Sequence, residues 1–301
     1  QINGGSFGVV SPSLKGMYSE EVSAGLQFDV GLDLVLGASY IHRNLGRVIE
    51  DVSPDGGNNY IVANPGDAID QGAVHDLENR IEKLPADPAS CNGNPGAMCP
   101  RANAQQQLAL YKDLTQGFAA PKRNYDALVL TATKRLSHNF LLLASYTYSR
   151  TVGNYPGLFQ ASNGQLDPNI STQYDLRELL VNRDGPLPND RPHNLKVQGS
   201  YFIPFGRSMV VLGAAFNAFS GSPIEVLGAH PSYGRRETYV LPRGSGGRTP
   251  FYTQVDLHVS YRRQLSPLFA MEAYWDVFNV GNEQTVTAVD RSAHTVTTDI
   301  R

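Results

Sequence analysis

The sequence predicts an all-β chain: a segment of an antiparallel transmembrane β-barrel, about eight strands with short turns at one end and long loops at the other. Three observations carry this reading. Apolar and polar residues alternate with a period of two over many ten-residue stretches. The connections alternate short and long in strict rotation. The mean hydropathy is −0.29, and no apolar run is long enough for a spanning helix. A barrel strand, half polar and half apolar, averages out as hydrophilic, so low hydropathy does not exclude it.

Taken in order, the strands read as Tyr18 to Phe28, Leu32 to Arg43, Tyr125 to Arg135, Phe140 to Arg150, Asn194 to Ile203, Met209 to Phe219, Val255 to Arg262 and Phe269 to Val277. The seventh shows the pattern most cleanly: Val255, Leu257, Val259 and Tyr261 alternate with Asp256, His258, Ser260 and Arg262. Tight turns at Val30-Gly31, Ser137-His138, Gly206-Arg207 and Ser266-Pro267 join the strands into hairpins. The other connections run from Val52 to Arg123, Thr151 to Pro192 and Gly221 to Pro250. Short periplasmic turns and long extracellular loops give this rotation in an outer-membrane barrel, with the stretch 53–123 as the longest extracellular loop. The apolar set then faces outer-membrane lipid, and the polar set faces the lumen. Tyr201, Phe205, Tyr261, Phe269 and Phe140 near the turns, and Tyr40, Tyr146, Tyr148, Phe216 and Tyr252 toward the loops, have the spacing of two aromatic girdles.

Composition excludes several function classes. The formal charge is −3, and charged residues make up 18% of the chain, so no basic footprint for nucleic acid exists. Gly4-Gly5-Ser6-Phe7-Gly8 has the G-x-S-x-G spacing but not the strand-then-helix context of a nucleophile elbow, and reads as flexible chain. Gly244-Ser245-Gly246-Gly247 lacks the Lys-Ser/Thr of a phosphate loop. His42, His75, His138, His193, His230, His258 and His294 never fall at metal-ligand spacing. The stretch Asp55 to Asn59 reads as a turn, not a calcium loop, and Asp67, Asp70 and Asp76 as solvated loop surface. No catalytic residue, cofactor or metal is expected, and the chain is not expected to be an enzyme. Modest helical character appears from Leu77 to Glu82 and from Ala104 to Leu114.

The two cysteines, Cys91 and Cys99, stand in the longest loop as CNGNPGAMC. The Gly-, Asn- and Pro-rich spacer curls back easily, so a disulfide is expected, which requires an oxidising compartment. A zinc pair is the sharper alternative, but no CxxC spacing or nearby His supports it.

Several stretches then fall into a familiar order: Leu45 to Asp51, Leu143 to Arg150, Asn189-Asp190-Arg191-Pro192-His193-Asn194, Phe202 to Gly206, Pro242 to Pro250, and Asp276-Val277-Phe278-Asn279. Together they resemble the C-terminal half of a TonB-dependent outer-membrane receptor, particularly the Oar-like group. The resemblance covers the chain from about Leu14 to Val289. It implies a barrel of about 22 strands around a plug, and energised uptake of an unidentified small ligand or peptide through the TonB–ExbB–ExbD system of a Gram-negative bacterium. Plug, TonB box and a closing C-terminal strand after Arg301 are not seen, so residues 1–301 are expected to be part of a larger barrel.

The wall's share of such work would fall to lumen-facing Arg43, Lys196, Gln198, Asp256, His258, Glu272 and Asp276, for each of which solvation of a water-filled interior is the plainer role. Two other classes compete with the receptor reading. One is a stand-alone eight-stranded barrel serving as adhesin or pore; the other is a soluble carbohydrate-binding β-sandwich.

Overall fold

The computed structural model describes residues 9–68, 70–113, 118–159 and 172–293. The Gly4 to Gly8 stretch, Leu114, His294 and the C-terminal residues to Arg301 lie outside these. Eight long strands form one antiparallel meander: β1 (Tyr18–Asp29), β2 (Leu34–Arg47), β3 (Arg123–Ser137), β4 (Phe140–Gly153), β5 (His193–Phe205), β6 (Ser208–Phe219), β7 (Tyr252–Gln264) and β8 (Ala270–Val277). Each pairs with its sequence neighbour, so the order across the sheet is the order in the chain. Strands β1 and β8 are the two edges and do not pair with each other.

All eight expected strands are present, mostly longer at the loop end than alternation alone marks them. One start differs. Leu32 and Asp33 belong to the first turn, where both take left-handed backbone beside Gly31. The turn is closed by hydrogen bonds between Val30 and Leu34 and by the Asp29 carboxylate accepting from Gly31 N at 2.9 Å. Leu32 continues the apolar alternation by chance; its side chain is 79% exposed at the tip.

Register fixes the faces, because side chains alternate along each strand and registered neighbours share a side. One face carries Val22, Leu26, Phe28, Leu36, Leu128, Leu130, Tyr201, Ile203, Leu212, Leu257, Val259 and Trp275, all at least 39% exposed. Among the described residues no layer covers it, and a continuous apolar surface of this size needs a nonaqueous partner. The other face is more polar but not uniformly so: Val129, Leu141, Leu143 and Val211 lie on it among Ser, Thr and charged residues. The expected girdle has one misplaced member. Tyr252 shares the polar face with Asp256 and stacks on Phe219 at 4.6 Å.

The packed core lies outside the sheet, in the long loops. The first loop carries α1 (Gln71–Glu82) and α2 (Pro100–Asp113), which contain the two stretches of helical character. Asp70 caps α1 by accepting from Gly72 N and Ala73 N. Short strands Val9–Val10, Glu50–Val52 and Ile61–Ala63 form a small sheet beside them. Val48, Val52, Ile61, Val74, Tyr111, Phe118, Tyr155 and Tyr174, drawn from both the first and second loops, build one buried cluster. The first and second loops, polar in composition, therefore share a core. Separate short segments pool their apolar residues into a cap over one end of the wall. Cys91 and Cys99 are joined as a disulfide with Cα atoms 6.0 Å apart, packed on Ala102 of α2. No helix among the described residues is long and apolar enough to cross a membrane, which says nothing of strands.

Candidate functional site

All seven residues singled out from the sequence share the polar face, since the strand registers link their positions pair by pair. Four of them, Gln198, Asp256, His258 and Asp276, border one shallow hollow of about 370 Å³ on β5 to β8. Its floor is made by small residues, Ser200, Gly213 and Ala215. The hollow exists because Gly213 has no side chain: a Cβ there would meet His258 Cβ at 3.1 Å. His258 Nδ1 lies 2.6 Å from Asp276 Oδ1, and Tyr274 stacks on the imidazole at 6.4 Å. Asp256 has a structural task as well. It accepts from the backbone N of Asn279 at 2.8 Å and from Gln254 Nε2, tying the exit of β8 back to β7. That contact explains the Asp-Val-Phe-Asn stretch, whose Asn279 has positive φ.

The other three stand apart. Lys196 lies one polar rung nearer the loops, in register with Asn217 and Ser145, and Glu272 lies toward the turns, opposite Arg262. Arg43, on β2, is five strands from His258, roughly 24 Å across the sheet. It pairs with Glu21 of β1, its Nε donating to Oε2 at 2.7 Å. The face thus offers hydrogen-bonding groups of both signs over a broad area, without a nucleophile held against a base. Among the described residues no group of His, Cys, Asp and Glu has the geometry to hold a metal ion.

A second polar constellation, in the cap, escaped the sequence reading. Asp190, 1% exposed, accepts from Thr151 N at 2.5 Å and pairs with Arg248, whose Nη1 also donates to the Asp190 and Gly221 carbonyls. Arg191 Nη1 donates to the Ser220 carbonyl, and His193 N donates to Ser220 Oγ. The Asn-Asp-Arg-Pro-His-Asn motif is thus a rim knot where the second and third loops leave the wall. Deeper in the third loop, Tyr239 lies between cations: the guanidinium carbons of Arg243 and Arg183 lie 4.7 and 5.2 Å from its ring centre. Its hydroxyl donates to Glu225 at 2.8 Å and accepts from Arg243. Burial and the Glu225 carboxylate push that phenol up to about 12, against the Arg243 charge that lowers it. Contacts across the loops bury Arg183, Arg243 and Glu225, and no short stretch of sequence marks them for burial.

Residues 1–227 match the family described as outer membrane beta barrel domain. An apolar outer face and a polar inner one are what that class requires of a section of its wall. The chain belongs to the outer membrane beta barrel domain family, and its place is the outer membrane of a Gram-negative bacterium. It is similar to the TonB-dependent transporter Oar of Myxococcus xanthus, 35% identical over 284 residues. The match takes in 94% of this chain and 22% of that protein, so the chain spans about a fifth of its curated relative's length. Among solved structures, the outer membrane transporter YddB from Escherichia coli aligns at 13% identity and TM-score 0.47, over 91% of this chain and 30% of that one. A mutant ferric enterobactin receptor from Pseudomonas aeruginosa, in complex with enterobactin, aligns at 13% identity and TM-score 0.33, over 86% and 28%.

Proposed function

We propose that this chain is a section of barrel wall and extracellular cap from a TonB-dependent transporter, which takes up an unidentified ligand with energy relayed by the TonB–ExbB–ExbD system. The observation that carries the reading is the 35% identity to the transporter Oar along nearly the whole chain. The polar face supports it physically: Arg43, Lys196, Gln198, Asp256, His258, Glu272 and Asp276 would line the passage, with the hollow at His258 as a resting point for a polar group. The relative is a transporter, which also supports a role without catalysis. A stand-alone small barrel would need β1 and β8 to pair, and they do not among the described residues. A soluble sandwich would need a second layer over the apolar face. The test is crosslinking of the full-length protein to TonB in intact membranes. An adduct that disappears when TonB is deleted is expected; a full-length protein that never crosslinks contradicts the reading.

A further inference from the structure

We propose that Glu50, Asp51 and Asp175 form a proton-held clasp that joins the first loop of the cap to the second, and that the two loops separate when these carboxyls ionise. The proposal rests on where the groups sit. Glu50 and Asp51 open the short strand Glu50–Val52 of the first loop, and Asp175 lies in the second loop beside it. Ser53 N donates to the Asp175 carbonyl at 2.9 Å, so the carboxyls lie at the seam itself. Glu50 is 5% exposed and Asp175 7%, and Glu50 Oε1 and Asp175 Oδ1 are buried without a hydrogen-bond partner. A carboxylate buried this way is costly, whereas a carboxylic acid is tolerated.

Tyrosines, an amide and acidic groups face the carboxyls, and the Arg177 side chain of the second loop reaches the same seam, its Nη1 donating to the Pro54 carbonyl at 3.1 Å. Tyr155, just after β4, and Gln173 of the second loop face Glu50; Tyr174 packs on Tyr155. Tyr60 of the first loop and Tyr233 of the third face Asp175, their hydroxyls 2.6 Å apart, and Glu237 stands behind them. The like charges that raise the carboxyls are Asp51 on Glu50, and Asp51, Glu50 and Glu237 on Asp175. Arg123 acts on Tyr155, Arg183 and Arg243 act on Tyr174, and Arg177 pairs with Asp113. Burial pushes Glu50 up to about 7 and Asp175 up to about 8, with the like charges adding to it and hydrogen bonds from Tyr155 and Gln173 to Glu50 and from Tyr233 to Asp175 opposing it; burial raises Asp51 too.

The sign follows from linkage. The closed seam binds protons more tightly than separated loops do, so its stability is full below the ordinary carboxyl values near 4 and is lost as pH rises to about 8. Within the transporter reading, on which this consequence alone rests, the clasp would link access through the cap to external pH.

The test is hydrogen–deuterium exchange of the full-length protein in detergent micelles, corrected for intrinsic rate, on the peptide carrying Ser53. From about pH 5 to about pH 9 its protection is expected to fall at least tenfold, while α1 and the wall strands keep theirs. In the double variant Glu50→Gln, Asp175→Asn, protection is expected to stay high across the range. Glu50→Gln alone serves if the pair does not fold, and is expected to shrink the fall. Unchanged protection in the native protein, or an equal fall in the variants, would overturn the clasp. Neither readout depends on TonB or on a ligand.

Discussion

Opening the Cys91–Cys99 disulfide should loosen one part of the cap and leave the rest intact. The bridge closes a loop with a sequence separation of 8. Chain-entropy reasoning gives about 2.5 kcal/mol at room temperature for a loop this short. The same segment retains other anchors: Asp87 accepts from Arg101 N and Ala102 N at the start of α2, and Asn103 holds Gly96 through both N and O. These sit within the region and open with it, so they do not change the difference between bridged and unbridged states. Replacing both cysteines with serine should therefore raise the opening equilibrium of residues 84–103 by roughly 70-fold. The assay is limited trypsin cleavage after Arg101, in the regime where reclosing outpaces cleavage, so that the rate reports the open population. Cleavage at the same rate in variant and native protein would refute the reasoning, because the bridge would then constrain nothing that α2 does not already hold.

Three further outcomes are expected. Leu257→Arg, which puts a cation on the apolar face between Ala214 and Val277, should cost about 2–4 kcal/mol, whereas His258→Arg one residue on should cost almost nothing; urea unfolding in lipid vesicles reads both. Asp190→Ala removes the acceptor of Thr151 N and the partner of Arg248 together, and should destabilise the rim by about 3 kcal/mol, seen as earlier proteolysis of the second and third loops. Gly221→Ala places a Cβ 1.7 Å from the Thr249 carbonyl oxygen, which the backbone cannot accommodate without moving; assembled protein recovered from membranes should fall sharply, while Gly31→Ala, in open space at a turn, should lose only what its positive φ costs, about 1 kcal/mol.

The wall was legible in the sequence because its determinants are local. Alternation along β7 sets which of Leu257 and His258 faces which side without reference to any other strand, and hairpin turns such as Gly206-Arg207 leave few choices of partner. The polar set was legible for the same reason, by parity alone. What parity cannot give is register, so the His258–Asp276 contact and the hollow at Gly213 appear only once β6, β7 and β8 are aligned. The cap was illegible for the opposite reason. Val48, Ile61, Tyr111, Tyr155 and Tyr174 are scattered over more than a hundred residues of polar loop, and no short window shows them as a core. Arg183 and Arg243 look solvated in isolation; their burial against Tyr239 depends on the second and third loops meeting. In the sequence Asn-Asp-Arg-Pro-His-Asn carries a family resemblance alone, and the structure supplies its physics in Asp190 and Arg248.

The apolar face of this sheet is predicted to meet lipid and the polar face the lumen. Single nitroxide labels placed in turn at residues 254 to 259 of β7, in the full-length protein in membranes, test it directly by their collision rates with oxygen and with a water-soluble nickel chelate. Labels at Val255, Leu257 and Val259 are predicted to favour oxygen, and those at Gln254, Asp256 and His258 nickel, in strict alternation. Alternation of the opposite phase, or none, would contradict the account.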